Sequence, residues 1–262
     1  MAAVRVIRTE RGSKPIRRIA YTDDDEGAFL TDAGYVGTGV VRSESGRDWK
    51  PDFLSNGRMT MFIAGVPGAG KSYLAKEMIK TLPEGCDILL FTALSEDDGN
   101  FTDLGKGKKL WKIRMEPEVL KKMTLENIRK ASKHPVLLFD DVDKIRDRNV
   151  ANLMFAILDD ALANGRGHKK HDGDGDIQVI ATSHALNDWK KTKYSLENSD
   201  YVAVFPGSTT YGQLERLFTK IGLDKEICRN LANLSRQGKF RSVIVHKVAP
   251  MYVMYGDTIQ FL

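Results

Sequence analysis

Eight residues, Gly65-Val66-Pro67-Gly68-Ala69-Gly70-Lys71-Ser72, constrain this 262-residue chain more than any other feature. They fit the spacing G-x-x-x-x-G-K-[ST] and stand between two different periodicities. Before them, the apolar run Met59 to Ala64 predicts a buried strand; after them, Leu74, Met78 and Leu82 recur at helical spacing and predict a helix from Ser72 to Leu82. A strand that must turn sharply into a helix through glycines can point successive backbone N–H groups inward, at the positive end of the helix. Such a cradle fits phosphates. On this reading Gly65, Val66, Pro67, Gly68, Ala69, Gly70, Lys71, Ser72 and Tyr73 hold a nucleoside triphosphate, taken as ATP. Lys71 brings a mobile charge toward the β and γ phosphates, and Ser72 offers a hydroxyl to Mg²⁺.

From Met59 onward, apolar runs alternate with helical patterns, which argues for a parallel sheet covered by helices. The expected core strands are Met59 to Ala64, Asp87 to Phe91, Val136 to Phe139, Gln178 to Thr182 and Tyr201 to Phe205. The expected helices between them run from Ser72 to Leu82, Pro117 to Ser132, Asn149 to Asn164 and Leu186 to Lys193, with Gly165 as a stop after the third. Two further helices follow, with Ser208 and Asp224 as N-cap candidates and Gly238 closing the second, and then three short strands end the chain. Residues 1–57 read as a small strand-rich extension and 58–262 as the main domain. The fold class is α/β, a P-loop NTPase of the additional-strand type, with a mainly parallel central sheet flanked by helices and C-terminal β strands.

Composition narrows the setting. At 42% hydrophobic and 29% charged, the chain has the balance of a globular protein, and no apolar run approaches a membrane-spanning segment. The basic first residues are not followed by the apolar stretch of a signal peptide, and two cysteines are too few for a disulfide framework, so a soluble intracellular location is expected. The net charge of +5 and pI near 9.0 suit either an acidic partner such as nucleic acid or an ordinary solvated surface.

Val136-Leu137-Leu138-Phe139-Asp140-Asp141 is a buried-strand run ending in two carboxylates. Asp140 is placed to hold Mg²⁺, and Asp141 to polarise an attacking water. The run Gln178 to His184 is a second buried strand ending in polar groups, so Ser183 or His184 could sense the γ-phosphate or orient the water. Arg166 follows the helix after the acidic strand and could reach a neighbouring subunit's γ-phosphate, or be a solvated loop residue. Asp143 reads as a cap. The cluster His168, His171, Asp172, Asp174 and Asp176 fails the calcium-loop template, because Ser183 stands at the twelfth position and Ile177 where the turn glycine belongs. The basic stretch Gly105 to Arg114 around Trp111, and Lys190, Lys191 and Lys193 near Trp189, are candidate DNA-tracking surfaces; the alternative for the first is a solvated loop with Trp111 packed in the core.

With the phosphate loop, Asp140-Asp141, Arg166 and Thr182-Ser183-His184 in that order, the chain resembles the FtsK-HerA superfamily, specifically viral genome-packaging ATPases of the poxvirus and giant-virus type, over about residues 58–262. The resemblance implies ATP hydrolysis coupled to pumping double-stranded DNA into a capsid. It implies a homo-oligomeric ring of about five or six subunits, a capsid or portal-vertex partner, and a place in host cytoplasm, viral factory or virion. Asp141 stands where many cellular relatives carry Glu, and Ser183-His184 where they often place Gln. Three alternatives stay open: an AAA+-like helicase loader or other oligomeric DNA-acting ATPase, a non-motor nucleotide-binding virion component, and a small-molecule kinase, whose acidic strand would lie beside the phosphate strand.

Overall fold

In the computed structural model the described residues are 58–93, 101, 103–167, 176–184, 189–223, 225–238, 241–248, 251–256 and 258–261, with the backbone of five short strands before them. The chain divides into two compact units, one of residues 57–199 and one of residues 1–56 with 200–262. The first four strands, β1 (Ala2–Val4), β2 (Ile19–Tyr21), β3 (Phe29–Thr31) and β4 (Gly34–Val36), pair in sequence order as an antiparallel sheet. Strand β5 (Val40–Arg42) follows.

The 57–199 unit contains β6 (Thr60–Ala64), α1 (Lys71–Thr81), β7 (Asp87–Thr92), β8 (Lys109–Ile113), α2 (Pro117–Leu120), α3 (Leu125–Ala131), β9 (Pro135–Asp140), α4 (Arg148–Asn164), β10 (Gln178–Ser183) and α5 (Trp189–Asn198). Its strands lie in the order β6-β10-β9-β7-β8, and every neighbouring pair is parallel. The apolar runs explain the burial: every residue of β6 and β9 is buried, as expected for strands covered on both faces. Strand β10 lies between the phosphate strand and the acidic strand, the additional-strand arrangement; the kinase order, with those two adjacent, is excluded.

Helix α4 returns from the C-terminal edge of this sheet to its N-terminal edge. Asp147 caps its start, accepting from the N–H groups of Asn149 at 2.8 Å and Val150 at 3.1 Å. Arg58 closes its end. The guanidinium donates to the carbonyls of Ala161, of Leu162 at 3.0 Å and of Ile177 at 3.1 Å. Gly165 lies under that guanidinium, where a Cβ would run into both Arg58 and the Ala161 carbonyl.

The other unit continues with β11 (Tyr201–Val204), α6 (Tyr211–Lys220), α7 (Lys225–Arg236), β12 (Val243–His246), β13 (Tyr252–Tyr255) and β14 (Thr258–Phe261). Strands β11 to β14 pair antiparallel in sequence order, and β5 adds to the outer edge of β14.

Several expectations change. The helix expected over Pro117 to Ser132 is two, because α2 stops and Thr124 restarts the chain as an N-cap, its hydroxyl accepting from Asn127 N–H at 3.2 Å. Lys109–Ile113 is a strand, and Trp111 is 55% exposed instead of packed in the core. The α6 cap is Thr210 and not Ser208: the Thr210 N–H and hydroxyl both donate to Gln213 Oε1. Residues 168–175, Asp224 and the side chains of Trp189, Lys190 and Lys191 lie outside the described residues.

Candidate active site

The site forms where β6, β9 and β10 end together. Ala64 is in register with Ser183, and the chain leaves β6 with the Gly65 N–H donating to the Ser183 carbonyl at 3.1 Å. The loop then turns through Gly68 at φ 78° and Gly70 at φ 106°, conformations that favour glycine, and α1 begins at Lys71. Val66, Pro67 and Gly68 are exposed, Ala69, Gly70 and Ser72 half-buried, and the Tyr73 side chain points to solvent at 70% exposure.

Lys71 folds back across this loop. Its ammonium donates to the Val66 carbonyl at 3.4 Å and lies 3.8 Å from Asp141 Oδ1. Burial holds its pKa below the usual lysine range, while Asp141, Asp140 and Asp143 oppose that shift. The Ser72 hydroxyl lies 3.4 Å from Asp140 Oδ1. A hydroxyl and a buried carboxylate facing one another beside a phosphate cradle are the donor set that Mg²⁺ bound to a triphosphate uses. The residues fit the cofactor expected from the sequence.

The two acids are positioned differently. Asp140 is the last residue of β9, 2% exposed, and its Oδ1 also accepts from the Thr182 hydroxyl at 2.8 Å. Asp141 follows at φ 51°, the one described non-glycine residue with positive φ. Its backbone N–H donates to the same Thr182 hydroxyl at 2.9 Å. Around its carboxylate stand Lys144 Nζ, 3.2 Å from Oδ2, and His184 Nε2, 2.9 Å from Oδ1. The His184 approach is close but off the hydrogen-bond line, so Oδ1 remains a buried acceptor with no aligned donor among the described residues. Such an acceptor suits a water molecule. Burial lowers the His184 pKa, against the pull of Asp141.

The structure therefore brings Lys71, Ser72, Asp140, Asp141 and His184 into one cluster. Ser183 is adjacent but fully buried, and its backbone carbonyl ties down the phosphate loop. Asp143, expected as a cap, instead ties the end of β10, its Oδ1 accepting from His184 N–H at 3.0 Å, and the caps nearby are Asp141 and Asp147. Arg166 is elsewhere. The Ile177 N–H donates to the Gly165 carbonyl at 2.8 Å, which puts Arg166 beside the start of β10, whereas the cluster surrounds its end, about 20 Å away at the rise of a strand. The Arg166 side chain is exposed, and its carbonyl accepts from Arg129 Nη2 at 3.1 Å.

Sequence reading missed Thr182 and Lys144. A threonine inside an apolar strand gives no signal of its own, and Lys144 could be found only by asking what stands three residues after Asp141 once that loop is wound as a 3-10 turn, Val142–Lys144.

An uncharacterized protein, V3, of the Sputnik virophage is 29% identical over 206 residues, covering 76% of each chain. Among solved structures, the ATPase EscN of the enteropathogenic E. coli type III secretion system, assembled with its central stalk EscO, aligns at 15% identity and a TM-score of 0.39, over 77% of this chain. This chain spans 56% of EscN. The pCW3 conjugation coupling protein TcpA, in its monomer form with ATPγS, aligns at 12% identity and a TM-score of 0.42, over 93% of this chain and 68% of its own. The ATPase family associated with various cellular activities (AAA) matches residues 61–195, from β6 through most of α5 and more than half of the sequence, and the chain belongs to that family.

Proposed function

We propose that this ATPase is a double-stranded DNA translocase that works as a homo-oligomeric ring and packages a viral genome, as in the FtsK-HerA packaging ATPases that its sequence resembles. The observation that carries the reading is the placement of Arg166. It lies at the opposite sheet edge from the phosphate loop of its own subunit, so an arginine finger role requires a neighbour. A paired-acid site that hydrolyses at a subunit boundary is what a ring motor needs, and the virophage relative supports a viral setting. The capsid or portal partner, the viral-factory or virion location, and the division into a motor of residues 58–262 with an accessory 1–57 belong to the same proposal.

The geometry supports the following roles. The phosphate-loop amides and Lys71 bind and orient the triphosphate. Ser72 and Asp140 would hold Mg²⁺, which supplies charge neutralisation at the β and γ oxygens when bound. Asp141 accepts a hydrogen bond from the attacking water and draws its proton, with Lys144 paired to the other oxygen of that carboxylate. The AAA match also supports another oligomeric DNA-acting ATPase, such as a helicase loader. A helical lid after the ATPase core would favour that reading, whereas here α6 and α7 lead into the strands β12, β13 and β14. A non-motor virion component would not need Asp141.

The test measures phosphate release by wild type and Lys71→Ala, with and without duplex DNA, beside the oligomer mass. Wild-type turnover should rise with assembly and with DNA at low salt, and Lys71→Ala should lose at least about 100-fold. A ring whose turnover ignores duplex DNA overturns the translocase reading.

A further inference from the structure

A cavity of about 580 Å³ lies at the far side of the 57–199 unit's sheet, and the hydrolytic site makes no use of it. Its walls come from β7, β8, α3 and the turn before α3: Leu89, Trp111, Ile113, Met123, Ile128 and Ala131 supply an apolar lining. Three strands separate β8 from β6, so the cavity is about 19 Å from the phosphate strand at ordinary strand spacing. Trp111 is the chief wall. It is 55% exposed, yet fixed, because its Nε1–H donates to Asp87 Oδ1 at 3.2 Å, and Asp87 Oδ2 accepts from the Ser132 hydroxyl at 2.6 Å. An exposed tryptophan held rigid over an apolar hollow is pre-organised for a contact, since little side-chain freedom remains to be lost.

The charge around the hollow is lopsided. Residues 105–133 hold ten Lys or Arg against three Asp or Glu, a net of +7, while the whole chain nets only +5. Lys109 lines the cavity, and Lys112, Lys122 and Lys133 are exposed next to lining residues. The outer edge of β8 pairs with no described strand, leaving a row of backbone donors and acceptors beside these lysines. Lysines on an edge repel another copy of the same edge. They admit an acidic one.

We propose that this face is the docking site for an acidic polypeptide segment of a partner protein. The segment lies extended along β8 and sets one large apolar side chain into the hollow against Trp111. Duplex DNA would satisfy the lysines, but its phosphates cannot fill an apolar hollow walled by the Asp87 carboxylate. The inference stands apart from the DNA reading.

The experiment titrates the full chain with a fluorescent peptide of Asp and Glu around a single Phe, and with three controls: Phe replaced by Ser, the acids replaced by Lys, and a duplex of DNA. The acidic Phe peptide should bind and the two control peptides should not. Trp111→Ala and Ala131→Leu, the second filling the hollow from an exposed helix position, should each weaken it about tenfold or more. Lys109→Glu with Lys112→Glu should abolish it, and basal ATP turnover should be unchanged throughout. If Trp111→Ala does not fold, Ala131→Leu alone decides. Peptide binding that ignores Ala131→Leu overturns the proposal. So does duplex binding with the same dependence on Trp111 and Ala131, which would make the face a nucleic-acid site. Self-association removed by Ala131→Leu in a chain that binds no peptide would make it a contact between copies, and would equally end the proposal.

Discussion

Thr182 holds both acids, Asp140 and Asp141, through a single hydroxyl. It donates to Asp140 Oδ1 and accepts the N–H of Asp141, which fixes the first side chain and steadies the second residue at φ 51°, where a residue with a Cβ is disfavoured. Thr182→Val keeps the shape and removes both bonds, whereas Thr182→Ser keeps them. In steady-state phosphate release, kcat should fall about 10–100-fold in the valine variant with KM for ATP changed less than about threefold, and serine should restore most of it. Equal losses in both variants would assign Thr182 to packing alone. Lys71, Ser72, Asp140 and Asp141 are legible in the sequence because their chemistry sits in contiguous motifs. Thr182 is not, because its role exists only once β10 is laid beside β9.

At the scale of elements, α4 depends on a residue far from it in sequence. Arg58, ahead of β6, donates to two carbonyls at the end of α4 and to one just before β10. Arg58→Ala removes the guanidinium from those part-buried carbonyls, of which that of Ala161 keeps a second donor, the Gly165 N–H, and should cost about 1–3 kcal/mol. That corresponds to a fall of about 3–10 °C in Tm by calorimetry or circular dichroism. Arg58→Lys should recover only part of it, because an ammonium lacks the planar fork that reaches several carbonyls. An unchanged Tm in the alanine variant would mean that water serves those carbonyls equally well. The strands were legible from their apolar runs to within a residue or two. The break between α2 and α3 was not, since Leu120, Leu125 and Ile128 keep apolar residues near helical spacing across it. Strand β8 was hidden as well, because an edge strand with lysines and an exposed tryptophan carries a loop's composition.

At the scale of the whole molecule, the separation of Arg166 from its own phosphate loop makes catalysis by assembly testable. Arg166→Ala and Asp141→Asn should each lose about 100-fold or more in turnover while still binding ATP. Mixed in one assembly, they should regain activity, because an Asp141→Asn subunit can lend its arginine to a neighbour with an intact acid. Mixtures as inactive as either parent would remove Arg166 from the site. By itself the sequence determined that a triphosphate cradle follows a buried strand, that two acids end another, and that the class is α/β. Those features rest on local spacing and apolar periodicity. The place of β10 between β6 and β9 is the one that the additional-strand reading expects. Only the tertiary structure decided that Thr182 and Lys144 meet the acids, and that Arg166 and the Trp111 hollow stand away from them. The meeting of distant side chains arises from packing across the sheet, which no local spacing encodes.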